Sequence, residues 1–172
     1  MKKIVLVLLI VIIAACGGLW WSGKDTRTVT TEIEIAATPD QVWSALVNIN
    51  EWQNWSPIIK ASVGDAALGS KLTITMISEE GKDGKPGPKY EPVITIFETA
   101  KNLTWTATMG LGFVMTNGKV LMLEKTEVGT RLTHQETFSG LMVPLMWASV
   151  EQNVPGMLNS MNQALKELIE NK

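Results

Sequence analysis

The feature that most restricts the fold of this sequence lies at its end. From Val143 onward, Val150, Val154, Met157, Leu158, Met161, Leu165, Leu168 and Ile169 recur at three- and four-residue spacing. That spacing draws an apolar stripe about five turns long down one side of a helix. A stripe of that length has to be covered by something equally large. The preceding chain supplies the cover: Ile58–Val63, Lys71–Ile77, Tyr90–Thr99, Leu103–Met109, Lys119–Thr126 and Arg131–Phe138 each read as strands, separated by glycine, proline and Asp or Asn. Val128-Gly129 closes a tight hairpin, and Glu79–Lys89, rich in glycine and proline, reads as a solvated loop between antiparallel neighbours. Pro155 and Gly156 fall inside the final stripe, where a proline removes one backbone hydrogen bond and predicts a bend or interruption.

Thr28–Ala36 alternates apolar and polar residues as a half-buried strand does. Thr38-Pro39-Asp40 then offers an N-cap followed by proline at the first helical position, and Val42, Trp43, Leu46 and Val47 continue a helix of about ten residues. Asn48–Trp55 reads as a second short helix, stopped by Ser56-Pro57. The order predicts an α+β domain over residues 28–172, with seven antiparallel strands in one sheet curled around the C-terminal helix. A hydrophobic content of 45% can fill its core. One cysteine and one histidine exclude a disulfide framework and argue against a zinc site, and no cofactor is implied. Fifteen basic against seventeen acidic residues, with no run of like charge, argue against a nucleic-acid partner. The pattern carries no signal of oligomeric state.

Residues 1–21 are of another kind. Met1-Lys2-Lys3 is a basic start and Ile4–Ala15 an uninterrupted apolar run, as in a targeting or anchoring segment. Two readings stay open. Ile13-Ala14-Ala15-Cys16 is similar to the lipobox of bacterial lipoproteins, which makes Cys16 the lipid acceptor. Alternatively, the apolar run continues to Trp20 and Trp21 as an uncleaved anchor. With Lys2 and Lys3 on the cytoplasmic side, either reading places the domain in the bacterial cell envelope, outside the inner membrane, with residues 22–27 as a linker.

Three segments carry a resemblance. Ile33-Glu34-Ile35-Ala36-Ala37-Thr38-Pro39-Asp40-Gln41-Val42-Trp43, Trp52-Gln53-Asn54-Trp55-Ser56-Pro57, and Thr130–Gly140 followed by a helix ending Ala164–Leu168 resemble the helix-grip superfamily of polyketide cyclase/dehydrase-like, START-related and birch-pollen-allergen-like proteins, often labelled SRPBCC. The resemblance spans nearly the whole domain. It implies a cavity between sheet and helix and a hydrophobic small molecule, lipid or aromatic, as partner. The activity stays open, because such proteins include carriers, aromatic cyclases, hormone receptors and co-chaperone activators.

Candidate residues follow from the strand period. Leu132, His134, Glu136 and Phe138 share one face, so an imidazole and a carboxylate project inward two residues apart. Glu136 there raises the pKa of His134 or orients it as a general base for a cyclisation or dehydration. The plainer alternative is a structural histidine near a strand end, bonded to backbone or water, with Glu136 paired to a neighbouring strand. Trp105 shares a face with Met109, and Met76, Met122, Met157 and Met161 offer adaptable thioethers around the same space, so that with Phe113 and Phe138 they form the expected ligand wall. Gly110–Phe113 and Gly140–Trp147 place bulky apolar groups on loops, as a cavity mouth facing the bilayer would. The preferred reading is a membrane-tethered binding protein. The rivals are an enzyme using His134 and Glu136 and a co-chaperone-like interaction domain.

Overall fold

The computed structural model describes residues 25–77 and 86–171, with single positions 5, 17, 18 and 21 before them. Cys16, most of the apolar N-terminal run and residues 78–85 lie outside the described residues. Among the described residues no helix is long and apolar enough to cross a membrane.

Strand β1 (Arg27–Ile35) is followed by helix α1 (Pro39–Val47), a 3₁₀ turn (Ile49–Glu51) and the one-turn helix α2 (Trp52–Trp55). Thr38 is the expected N-cap of α1, and it forms a capping box: the Gln41 amide donates to its hydroxyl at 3.4 Å, and the Gln41 side chain accepts from the Thr38 amide at 2.9 Å. Strands β2 (Ile59–Val63), β3 (Thr73–Ile77), β4 (Pro86–Tyr90), β5 (Val93–Glu98), β6 (Asn102–Met109), β7 (Met115–Lys125) and β8 (Thr130–Ser139) precede the 28-residue helix α3 (Val143–Glu170).

The architecture is the expected α+β helix-grip arrangement, with one correction. Among the described residues there are eight strands in two sheets, ordered β1-β8-β7-β6-β5 and β2-β3-β4, rather than seven in one. The extra strand comes from the segment read as a loop. β4 is an edge strand, and an edge tolerates Pro86 and Pro88 because only one side of it must donate to a ladder. The run Tyr90–Thr99 breaks at Pro92, which lacks an N–H. Its carbonyl instead accepts from the Leu72 amide at 2.8 Å, and Gly69 and Ser70 exchange bonds with Ile94 at 2.9 Å. The two sheets are thus hinged along the stretch 69–72.

Helix α3 continues through Pro155 without interruption. The turn that loses a hydrogen bond there, Glu151–Asn153, is exposed, so water can serve the freed carbonyl. The core has two parts. Trp43, Leu46, Trp52, Leu72, Ile74, Leu103, Trp105, Leu121, Leu132, Met161 and Leu165 belong to one cluster under the C-terminal half of α3. Val29, Met115, Phe138, Val143, Val150 and Leu158 form the other under its N-terminal half.

Candidate functional site

Between the two apolar clusters a chain of polar side chains crosses the inner face of the larger sheet. Register sets it up: Lys119 on β7 stands directly opposite Glu136 on β8, and Thr31 on β1 opposite His134. The period-two rule turns Lys119, Leu121 and Leu123 inward together, and likewise Leu132, His134 and Phe138. A lysine 3% exposed is uncommon and requires partners. The Lys119 ammonium donates to Glu136 Oε1 at 2.6 Å and to His134 Nε2 at 2.7 Å.

Those bonds fix the imidazole. An ammonium has only protons to offer, so Nε2 accepts and the proton sits on Nδ1, which donates to Asn162 Oδ1 on α3 at 2.7 Å. Asn162 Nδ2 donates to Thr31 Oγ1 at 3.0 Å, and the Thr31 hydroxyl closes the ring on the His134 carbonyl at 3.4 Å. Glu136 Oε2 accepts from Asn117 Nδ2 at 3.4 Å. Burial, and then the Lys119 charge, hold the His134 pKa well below its ordinary value, against a smaller opposing effect of the Asn162 bond. The imidazole is therefore neutral.

This departs from the general-base alternative and agrees with the structural one, in which Glu136 pairs with a neighbouring strand. Glu136 pairs with Lys119 rather than with His134, and the His134 pKa moves down, not up. A neutral imidazole whose only lone pair is engaged by an ammonium cannot serve as a general base unless Lys119 moves away. Lys119 and Asn162, the partners that decide this, were not singled out from the sequence. Lys119 alternates with Leu121 and Leu123 along β7, and Asn162 lies between Leu158 and Leu165 on the apolar stripe, so inward placement was legible in both.

The smaller sheet faces this chain. Tyr90 donates its hydroxyl to Met76 Sδ at 3.6 Å, and burial, followed by the Glu136 carboxylate, raises the Tyr90 pKa. Glu136 keeps 17% of its side chain accessible, and Asn117, Met76, Tyr90 and Met157 are all half-buried, although each except Met157 belongs to a strand of the grip. Trp105 stands opposite Lys119 in the β6–β7 register. Its indole N–H is buried with no acceptor among the described residues.

The predicted ligand wall divides. Trp105 is packed against Trp52, ring centroids 5.4 Å apart, and Met161 lies in the same filled core. Phe138 packs on Trp147 at 6.3 Å. Met76 is half-buried against the first cluster, and Met157 lies in a groove of about 540 Å³ with Ile58, Ile77 and Gly156. Met109 and Phe113 are exposed at the strand ends. Met122 is misplaced by the sequence reading: it is on the outer face of β7, 38% exposed, because its neighbours Leu121 and Leu123 take the inward positions. Two further grooves, of about 610 and 570 Å³, are open to the surface, and none of the three is lined by Trp105, Phe138 or Met161. Among the described residues no group of three or more His, Cys, Asp or Glu gathers to hold a metal.

The model of the family "Polyketide cyclase / dehydrase and lipid transport" matches residues 26–170. The chain belongs to that family. The family's range, from cyclisation to lipid transport, agrees with a grip whose interior carries both apolar walls and a polar strip. Solved structures share the fold. A protein from Nitrosomonas europaea is 20% identical, with a TM-score of 0.67 over 84% of this chain and 94% of its own. Norcoclaurine synthase from Thalictrum flavum, in complex with dopamine and hydroxybenzaldehyde, is 14% identical, with a TM-score of 0.66 over 87% and 90%. The di-domain ARO/CYC StfQ of the steffimycin biosynthetic pathway is 9% identical, with a TM-score of 0.70 over 85% of this chain and 52% of that one. No curated protein matches the sequence.

Proposed function

We propose that the protein binds an apolar small molecule, lipid or aromatic, between its two sheets and α3, and orients it by an acceptor oxygen at Lys119. The observation that carries this reading is the distribution of protons along the buried polar chain. Lys119 spends one N–H on Glu136 and one on His134, and no acceptor among the described residues takes the third. Trp105, opposite it in register, holds a second buried donor with no acceptor among them. Two such donors among apolar walls suit a carbonyl or carboxylate on an otherwise oily guest. The half-buried Met76, Tyr90 and Glu136 give that guest a way in. His134, locked as a neutral donor to Asn162, holds Lys119 in place, which favours binding over acid-base catalysis by His134 and Glu136.

The reading includes the tether. The apolar run Ile4–Ala15 after two lysines would hold the domain outside the inner membrane, through lipid on Cys16 or as a spanning segment. Fatty-acid labelling with a Cys16→Ser control separates these two, since label retained by the variant refutes the lipoprotein arm. For binding, titration with anilinonaphthalene sulfonate, an aromatic anion, should saturate at one site and weaken severalfold in Lys119→Met. Absence of saturable binding, or binding unchanged in Lys119→Met, overturns the assignment of the site.

A further inference from the structure

One pole of the molecule is apolar and free of charge. The β6–β7 loop and its flanks, residues 109–116, and the β8–α3 turn with the first helical turns, residues 139–150, contain no Asp, Glu, Lys or Arg. They form one surface: the amide of Leu141 donates to the Phe113 carbonyl at 3.0 Å, and that of Met142 to the Val114 carbonyl at 3.1 Å. Gly140 makes the close approach possible, with φ +120° and a position where a Cβ would lie 2.7 Å from the Val114 oxygen. On this surface Leu111, Phe113 and Leu145 are 65%, 57% and 62% exposed, and Met109, Met142 and Met146 are exposed beside them. Side chains of this size, clustered and unmixed with charge, mark a contact surface.

The position of the chain's N-terminal segment says what the contact is. β1 begins at Arg27, paired with Phe138 at this same end, and the Arg27 guanidinium lies 5.2 Å from the centre of the Trp147 ring. The chain therefore enters β1 beside the apolar tips. Fully extended chain reaches at most about 20 Å from Trp21 to Arg27 and about 40 Å from Cys16. A bilayer holding residues 4–15 would thus have this pole within reach. Around the tips sit Arg27 and, in the groove beside Met109 and Gly110, Lys71 and Lys89, two cations that share the one carboxylate of Glu91 and so keep a net positive charge. Cations around an oily centre suit the headgroup layer, where the stems lie in apolar surroundings and the charges meet phosphate.

We infer that the tips at Leu111, Phe113 and Leu145 dip into the same bilayer face that holds the N-terminal segment, so that the domain rests pole-down on the membrane. This rests on the tether proposed above, and the experiment separates the two. The full chain, with methyl-labelled methionine, is reconstituted in phosphatidylcholine nanodiscs with and without doxyl-labelled lipid. The Met109, Met142 and Met146 methyl signals should lose most of their intensity to the spin label, while Met122 on the outer face of β7 keeps its own. Leu111→Asp/Phe113→Asp should restore the three signals without releasing the protein in flotation. Failure to float with liposomes overturns tether and docking together. Flotation with all methyl signals equally affected, or none, overturns the docking and leaves the tether. Loss of the same signals without lipid, through pairing of two copies at the tips, also overturns it.

Discussion

The two halves of the grip bury different things. Under the C-terminal half of α3 the interior is solid: Trp52, Trp105, Leu103, Leu121, Leu132 and Leu165 are each no more than 1% exposed, with aromatic rings in contact. Toward the N-terminal half the inner face turns polar at Lys119, His134, Glu136 and Asn162, then apolar again at Val29, Phe138 and Val150, and ends in exposed tips. The same sheet and helix build both. The difference is that the first half is packed solid, with the indole N–H groups of Trp55 and Trp105 left without acceptors among the described residues, whereas the second carries a buried ion pair and apolar groups without cover. Stability should reside in the one and recognition in the other.

The sharpest way to break that contrast is through Lys119. Lys119→Met leaves the Glu136 carboxylate largely buried and unpaired and is expected to cost about 3–5 kcal/mol in denaturant unfolding. Replacing both, with Lys119→Met/Glu136→Leu, should recover most of that loss, and a double variant as unstable as the single one would deny the pairing. In the solid half, Leu165→Ala should cost about 2–5 kcal/mol while leaving binding of anilinonaphthalene sulfonate unchanged. A matching loss of binding would show that the two halves are not separate.

Proton linkage sharpens the comparison further. His134 binds its proton more weakly folded than unfolded, so the unfolded chain takes up more protons below its ordinary pKa of about 6.5. Stability should therefore fall as pH drops below about 6.5, by at most about 1.4 kcal/mol per pH unit for this one group. His134→Gln should flatten that slope, measured by urea unfolding between pH 7 and pH 5. The smallest effect is expected at Gly156, a helical glycine in the groove beside Met157 where an added Cβ meets nothing within 4 Å. Gly156→Ala should stabilise by about 0.5–1 kcal/mol, read as a raised Tm.

Much of this was legible beforehand. The final stripe, the Thr38-Pro39 cap and the alternation in β6 and β8 gave the grip, because period and turn chemistry are local properties. The division into two sheets was not, since it depends on Pro92 forcing the edge of β5 to borrow bonds from residues 69–72. Glu136 and His134 were correctly placed on one face, and the alternative of a structural histidine with Glu136 paired to a neighbouring strand fits the structure better than the general-base reading. Whether a carboxylate faces an imidazole or an ammonium is decided by the neighbouring strand's register, and Lys119↔Glu136 is a pairing between residues far apart in sequence. Met122 shows the same limit from the other side, one residue out of phase with its inward neighbours.

Native mass spectrometry of the intact chain, released from detergent in the gas phase, tests the central claim most directly. The account predicts a population carrying one small molecule, which is depleted in Lys119→Met/Glu136→Leu and retained in Leu165→Ala. A chain that is always bare, even after incubation with membrane lipid extract, would contradict it.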